Sequence, residues 1–375
     1  MQRYYFDHNA TTPVSPEVLE AMLPMLTEVY GNASSIHHFG QAARQKLDAA
    51  RKQVAETFGA EPQEIVFTSG GTEADNLAII GGSSRGHVIT TTFEHPAVLA
   101  SAAQCDHTLV PVDGRGMVDP AAIQRALRPD TKLISVMHAN NEVGTLQPIA
   151  EIARIAAEAG VAMHSDGVQA IGKTPINVAD LGVSLYSISG HKIGAPKGVG
   201  VLYVRKGTGL KPMLHGGRHE RERRGGTENV AGAVALGRAM QWIAEHCDAE
   251  RRRMADLRDR LEQNIASRIP DTHVNGAGAP RVPNTTNIRF NGIDSDALLI
   301  ALDLKGFAVS SGAACSSGAP EPSHVLLAMG LNRLEARSSI RFSLGRSNTV
   351  EQVDALVEAL VESVAHLRKL APAYA

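Results

Sequence analysis

Residues 184 to 200 read SLYSISGHKIGAPKGVG. Leu185 to Ile188 is a short apolar run with the character of a buried strand, and it ends in Ser189, Gly190, His191 and Lys192. Glycine and proline follow, so the chain turns there. A lysine on this corner, flanked by a hydroxyl and an imidazole, is either a solvated loop residue or a group aimed at the edge of a sheet. The surrounding sequence decides between them.

Other runs of the same kind are EIVFTSG, HVITTTFEHP, KLISVMHANN, VAMHSDGVQ and GVGVLYV. Amphipathic stretches such as PIAEIARIAAEAG, residues 148 to 160, separate several of them. Strand, helix, strand at this pitch predicts an α/β fold, a mostly parallel sheet flanked by helices. Ligands of such sheets bind beyond the carboxyl ends of the strands. The 375 residues suffice for two domains. A helical pattern runs from about Val230 to Ile269, and the Gly/Pro-rich PDTHVNGAGAPRVPN after it reads as a passage between domains. A smaller α/β unit follows: TTNIRF, SDALLIALDLKG, the loop SSGAACSSGAPEPS, SIRFSL and a last helix, for which Thr349 and Gln352 form a capping box. The expected division is a large domain over 14–255, and a small domain over 1–13 and 256–375 carrying a mobile cysteine loop at about 308–322.

Composition excludes several classes. Lys plus Arg (37) nearly balances Asp plus Glu (39), which gives no support for nucleic-acid or anionic-membrane partners. No apolar run approaches the ~20 residues that cross a bilayer. The opening MQRYYFDHNATTP lacks a basic region followed by an apolar stretch, so a cytoplasmic location is the expectation. The three cysteines, Cys105, Cys247 and Cys315, have no C-x-x-C spacing and suit reduced thiols, and no metal site is expected.

The strand ends carry the chemistry. After IVF come Thr68, Ser69, Gly70, Gly71, Thr72 and Glu73; after VITTTF come Glu94, His95 and Pro96. After LISVM come His138, Asn140 and Asn141; after VAMHS come Asp166 and Gln169; after LYSIS come His191 and Lys192. Five polar clusters at one edge of one sheet converge on one pocket. TSGGTEADN is either a phosphate cradle of backbone N–H groups or an ordinary glycine turn with a cap. Asp166 alone reads as a structural cap, because a buried carboxylate needs a donor or cation. With Lys192 at the end of the next strand the reading changes. A desolvated lysine is a nucleophilic amine that traps carbonyls, and an aspartate pairs with a protonated ring nitrogen. A phosphate site, such a lysine and such a carboxylate are the requirements of pyridoxal phosphate. Ser189 and His191 are placed to donate to its phosphate.

Cys315 lies among Gly, Ala and Ser in VSSGAACSSGAPEPS, a segment with few apolar anchors. It is either a small filler on a turn or an exposed thiolate nucleophile. Cys105 and Cys247 sit in more apolar surroundings and read as structural.

The chain resembles the NifS/IscS cysteine desulfurases, class-V aminotransferases that are pyridoxal phosphate enzymes of fold type I. The resemblance covers nearly the whole chain and rests on FDHNATTP, GNASSIHHFG, TSGGTEADN, EHPAV, HANNEVGT, HSDGVQAIGK, SGHKIGAPKGVG, GGRHERERRGGTEN, SSGAACSSG and IRFSLGR. It implies that Lys192 carries the cofactor, Asp166 meets the ring nitrogen, His95 stacks on the ring and relays protons, and Gln169 contacts the ring hydroxyl or the aldimine. It further implies phosphate contacts from Gly71, Thr72, Ser189 and His191, with Thr227 reaching the phosphate of a partner subunit in a homodimer. Asn141 and Arg341 hold the substrate carboxylate, for which the guanidinium fork is suited. The implied reaction takes L-cysteine to L-alanine with Lys192, His95 and Cys315 as catalytic residues, Cys315 passing a persulfide to an acceptor such as an iron–sulfur scaffold. The alternative is a selenocysteine lyase or another lyase or aminotransferase on the same scaffold. The alanine in GAACSSG, where relatives often have serine, is a minor departure.

Overall fold

The computed structural model describes residues 2–311 and 321–370. Its main sheet has seven strands: β2 (Ile65–Thr68), β3 (His87–Thr91), β4 (His107–Val110), β5 (Thr131–Ser135), β6 (Ala162–Asp166), β7 (Leu185–Ser189) and β8 (Gly200–Val204). They lie in the order β2-β8-β7-β6-β5-β3-β4. The pairs from β4 through β7 are all parallel, whereas β8 runs against both β2 and β7. Thus β2, β3, β5, β6 and β7 end at one edge, and the residues after each of them share that edge.

The six runs read as buried strands are β2, β3, β5, β6, β7 and β8. Every residue of β2, β3, β7 and β8 is buried, as expected where helices cover both faces. Close approach between neighbouring strands requires small residues. A Cβ on Gly167, just past β6, would lie 2.0 Å from the Tyr186 ring of β7. That ring is edge-on to Phe58, and its hydroxyl meets His138 Nδ1 at 2.8 Å.

Three further strands, β9 (Thr272–Asn275), β10 (Thr285–Phe290) and β12 (Ser339–Ser343), form a second, antiparallel sheet in the order β12-β10-β9. Strand β9 corrects the reading of PDTHVNGAGAPRVPN as a mere passage between domains: its turns are Gly- and Pro-rich, yet Val274 and Asn275 register against β10. A two-stranded parallel ribbon pairs β1 (Tyr4–Tyr5) with β11 (Phe307–Ala308). The N-terminal segment therefore packs with the second sheet, and Phe6 is fully buried beside Phe290, Phe307 and Phe342.

One helix, Val230–Arg268, links the two cores. Its first half buries Leu236, Met240 and Ile243 against the large sheet; its second half buries Leu257, Leu261 and Ile265 against the small one. Each such side chain contributes roughly 1.5–3 kcal/mol, so this helix ties the two units together. The last helix, Val350–Leu370, packs on the second core, and Thr349 Oγ1 accepts the Gln352 N–H at 3.3 Å as the capping pattern predicts.

Candidate active site

At the common strand edge lies a cavity of about 310 Å³. Ten of the predicted site residues line it: Gly71, Thr72, His95, Asn141, Asp166, Gln169, Ser189, His191, Lys192 and Arg341. Thr227 is exposed and does not line it. Its segment is nonetheless anchored nearby, because Arg224 donates to Glu73, which in turn accepts the Ser69 N–H in the small-residue turn. Cys315 lies outside the described residues. A larger cavity, about 480 Å³, lies behind Lys192, but it holds none of the other strand-end residues. The convergent polar groups mark the smaller one.

Most of these side chains owe their place to a strand end. Asp166 is the last residue of β6; it is buried and accepts the Val168 N–H at 2.9 Å. Burial raises its pKa, and the nearby His95 and Lys192 pull it back down. His95 caps the helix Pro96–Ala102 with Nδ1, which accepts from the Ala97 N–H at 3.1 Å and leaves Nε2 for the site. Burial lowers the His95 pKa, favouring a neutral ring. His191 is likewise neutral, with burial taking its pKa to about 4, and Nδ1 meets Thr11 Oγ1 at 3.1 Å.

Lys192 follows β7 on a single turn of 3₁₀ helix. Its Nζ donates to the carbonyls of Asn9 at 2.5 Å and Ala10 at 2.7 Å. Burial and the Arg341 charge bring its pKa down to about 8, the property a carbonyl-trapping amine needs. Arg341 sits on β12 of the second sheet and donates to Asp7 Oδ1 at 2.7 Å and to the Asn141 carbonyl at 3.1 Å. Among the described residues its Nε has no hydrogen-bond partner, nor has Asn141 Oδ1.

Several residues at the site escaped sequence reasoning. Asn9 is the hub: its carbonyl accepts from Lys192 and from Gln169 Nε2, and its Oδ1 accepts from Lys173 Nζ at 2.9 Å. Its Nδ2 donates to Thr285 Oγ1 at 2.8 Å, reaching the second sheet. Lys173 also holds Gln169 Oε1 at 2.6 Å. Asp7 and Asn9 stand in FDHNATTP, a motif that carried the resemblance without any role for these residues. Asp75 lines the cavity as well.

Comparison with known proteins places this site in a family. The model for aminotransferase class-V matches residues 4–356, and the chain belongs to that family. Within it, the chain groups with the cysteine desulfurases of the NifS/IscS type. It is 46% identical over 378 residues to cysteine desulfurase IscS of Dictyoglomus turgidum, covering 98% of this chain and 96% of the relative. It is 47% identical over 381 residues to a cysteine desulfurase of Trichormus azollae, covering 99% and 95%. A solved NifS-like protein superposes with a TM-score of 0.91 at 37% identity, over 98% of this chain and 100% of the other. SspA solved in complex with cysteine gives a TM-score of 0.80 at 35% identity, over 91% and 98%.

The family's cofactor is pyridoxal phosphate, and the cavity's own residues fit it. A lowered-pKa amine and a buried carboxylate share the cavity. Beside the Thr72 and Ser189 hydroxyls a Cβ on Gly71 would come within 3.0 Å of Val168 Cγ2 and 3.4 Å of Ser189 Cβ, so glycine keeps this corner of the cavity uncrowded.

Proposed function

We propose that this protein converts L-cysteine to L-alanine and takes the sulfur onto Cys315 as a persulfide. The observation that carries the reading is the convergence of Lys192, Asp166, His95 and Arg341 on one cavity. Bound pyridoxal phosphate supplies the electron sink that stabilises a carbanion at the substrate Cα. Lys192 holds the cofactor and then moves the Cα proton, for which an amine pKa of about 8 is suited. Asp166 keeps a proton on the ring nitrogen. His95, neutral and fixed through Nδ1, stacks on the ring and relays protons through Nε2. Gln169 contacts the ring hydroxyl, while Gly71, Thr72, Ser189 and His191 hold the phosphate. Arg341 and Asn141 orient the substrate carboxylate.

The sulfur step balances without an added oxidant. The Cys315 thiolate attacks the substrate Sγ, an S–S bond forms, and the Cβ–Sγ pair returns to carbon. L-Cysteine and one thiol thus give L-alanine and one persulfide. The reading extends to a homodimer in which Thr227 reaches the partner's phosphate, to a sulfur acceptor such as an iron–sulfur scaffold, and to a cytoplasmic location. No described helix is long and apolar enough to cross a membrane. We further place the division of the chain at 14–255 against 1–13 with 256–375.

The test is Cys315→Ser in the cofactor-loaded protein. It should bind cofactor and L-cysteine yet form neither alanine nor, with a reductant, sulfide. Normal sulfide release would remove Cys315 from the reaction. Assaying alanine formation from L-cysteine against L-selenocysteine separates the desulfurase from a selenocysteine lyase.

A further inference from the structure

Two carboxyl groups line the described part of the cofactor cavity, Asp75 and Asp166, and the chemistry above uses only one. Asp75 lies on the short helix after the small-residue turn, is 1% exposed, and its Oδ1 has no hydrogen-bond partner among the described residues. The nearest cation candidate is His164 Nε2, 3.7 Å from that oxygen and too far for a hydrogen bond. His164 is itself fully buried between two hydroxyls: Nδ1 meets Ser135 Oγ at 2.8 Å and Nε2 meets Ser187 Oγ at 2.9 Å. An imidazole satisfied by two hydroxyls and shut off from water stays neutral, its pKa taken by burial to about 3. Among the described residues Asp75 therefore has no cationic partner.

The groups that face Asp75 divide plainly. Ser187 of β7 offers a hydroxyl, Asp166 of β6 offers like charge, and Glu94 beyond β3 is another buried acid that keeps its own proton, its pKa raised by burial to about 8. Asp166 is treated differently. It accepts a backbone N–H and faces both His95 and Lys192. Two neighbouring buried carboxyls do not both ionise, and the one with donors and cations keeps the charge.

We propose that Asp75 is a positioning residue of the cofactor site: it stands as a neutral carboxylic acid, so that the single negative charge of the cavity floor stays on Asp166, opposite the ring nitrogen. This rests on the reading of Asp166 as the ring nitrogen's partner. A charged Asp75 would compete for that proton and repel Asp166 from its place. A neutral one fills the same volume, excludes water, and leaves the ion pair undivided. The Ser135–His164–Ser187 chain supports this by presenting hydroxyls and a neutral ring where a cation would have drawn Asp75 into ionising.

The test uses the cofactor-loaded protein. Infrared difference spectroscopy of wild type minus Asp75→Asn at pH 7 should show a carboxylic-acid carbonyl band, which isolates Asp75 from other buried acids. Asp75→Asn, neutral and of the same shape, should keep cofactor affinity within twofold. Asp75→Ala should weaken it at least tenfold. A carboxylate band in place of the acid band, or an Asp75→Ala protein that holds cofactor like wild type, overturns the proposal. Should the alanine variant not fold, the Asp75→Asn spectrum and affinity decide alone. Asp166→Asn distinguishes the two layers: unchanged cofactor affinity there overturns the reading of Asp166 and with it the role given to Asp75, whereas loss of the acid band alone overturns only the latter.

Discussion

The Nζ of Lys192 meets the backbone carbonyl of Asn9 at 2.5 Å, across 183 positions of sequence. Asn9 is thus a second anchor for the lysine that β7 delivers. Its side chain fixes that carbonyl by bonding in four directions, to Lys173, Asn284, Thr285 and the Asn141 carbonyl. Asn9→Ala leaves the buried Lys173 amine and the Thr285 hydroxyl short of a partner. Each keeps one other bond, to Gln169 and Asn284 respectively, and a lost hydrogen bond costs ~0.5–1.5 kcal/mol, so denaturant unfolding should show a loss of about 1–3 kcal/mol in total. A variant as stable as wild type would mean that Asn9 is a bystander at the junction.

Lys192 sets a pH profile. Burial and Arg341 depress its pKa to about 8 from 10.5, so below pH 8 the amine is mostly protonated and unreactive. The neutral fraction of a base rises about tenfold per pH unit below its pKa and levels off above it. Reconstitution of the apo-protein with pyridoxal phosphate, followed by visible absorbance, should therefore quicken up to pH 8 and then flatten. Arg341→Met removes a repelling charge and should move the bend upward. A bend near 10.5 in the wild type would show that the cavity does not desolvate the amine.

What the sequence showed, and what it hid, follows from how each feature is encoded. β2, β3 and β5 to β8 are continuous apolar runs that stop at polar corners, so both the sheet and its loaded edge were readable. β4 was not: it is an edge strand with His107 and Leu109 exposed, and it has no run to read. β9 hid among glycines and prolines. The cavity floor was legible because each residue follows its own strand. Asn9, Asp7 and Arg341 come from the N-terminal segment and the second sheet, which meet the edge only through long-range packing. Arg341 needed the resemblance for that reason, and Asn9 had no signal beyond its place in FDHNATTP. Asp75 lay inside a helix where an acid looks like solvated surface.

Glu94 gives a stability test with a definite sign. It is fully buried, and Thr91 Oγ1 donates to its Oε1 at 2.6 Å and the Met137 N–H at 3.0 Å. Burial raises its pKa to about 8 from 4.5. Between those values the folded form keeps a proton that the unfolded form has released. Stability contributed by this group therefore falls as pH rises, by ~1.4 kcal/mol per pH unit at most. Glu94→Gln keeps the acceptor oxygen and removes the titration. Relative to wild type it should gain stability steadily from pH 5 to pH 8 in chemical denaturation. A constant difference over that range would show that Glu94 ionises normally.

The segment before Thr227 stores backbone strain that a substitution should release. Glu220, Arg221 and Glu222 take φ of 46°, 55° and 65°, the left-handed region, with no glycine among them. What holds them there is the buried pair of Arg51 and Glu220, bonded through two parallel contacts of 2.7 Å, with Glu220 also accepting the Phe67 N–H of β2. Each left-handed non-glycine residue costs ~1–2 kcal/mol. Arg221 is exposed, and the positive charges of Arg51 and Arg44 act against it, partly offset by Glu220 and Asp48. Arg221→Gly removes the Cβ clash and the repulsion, against a loss of ~0.5–1 kcal/mol from a freer unfolded chain. The net gain should be about 0.5–1 kcal/mol, read as a Tm rise of ~1–3 °C. Arg51→Met should do the opposite, stranding Glu220 and costing ~3–5 kcal/mol. If Arg221→Gly destabilises, Arg221 makes a favourable contact that outweighs its strain, and the pair of Arg51 and Glu220 is not what forces the turn.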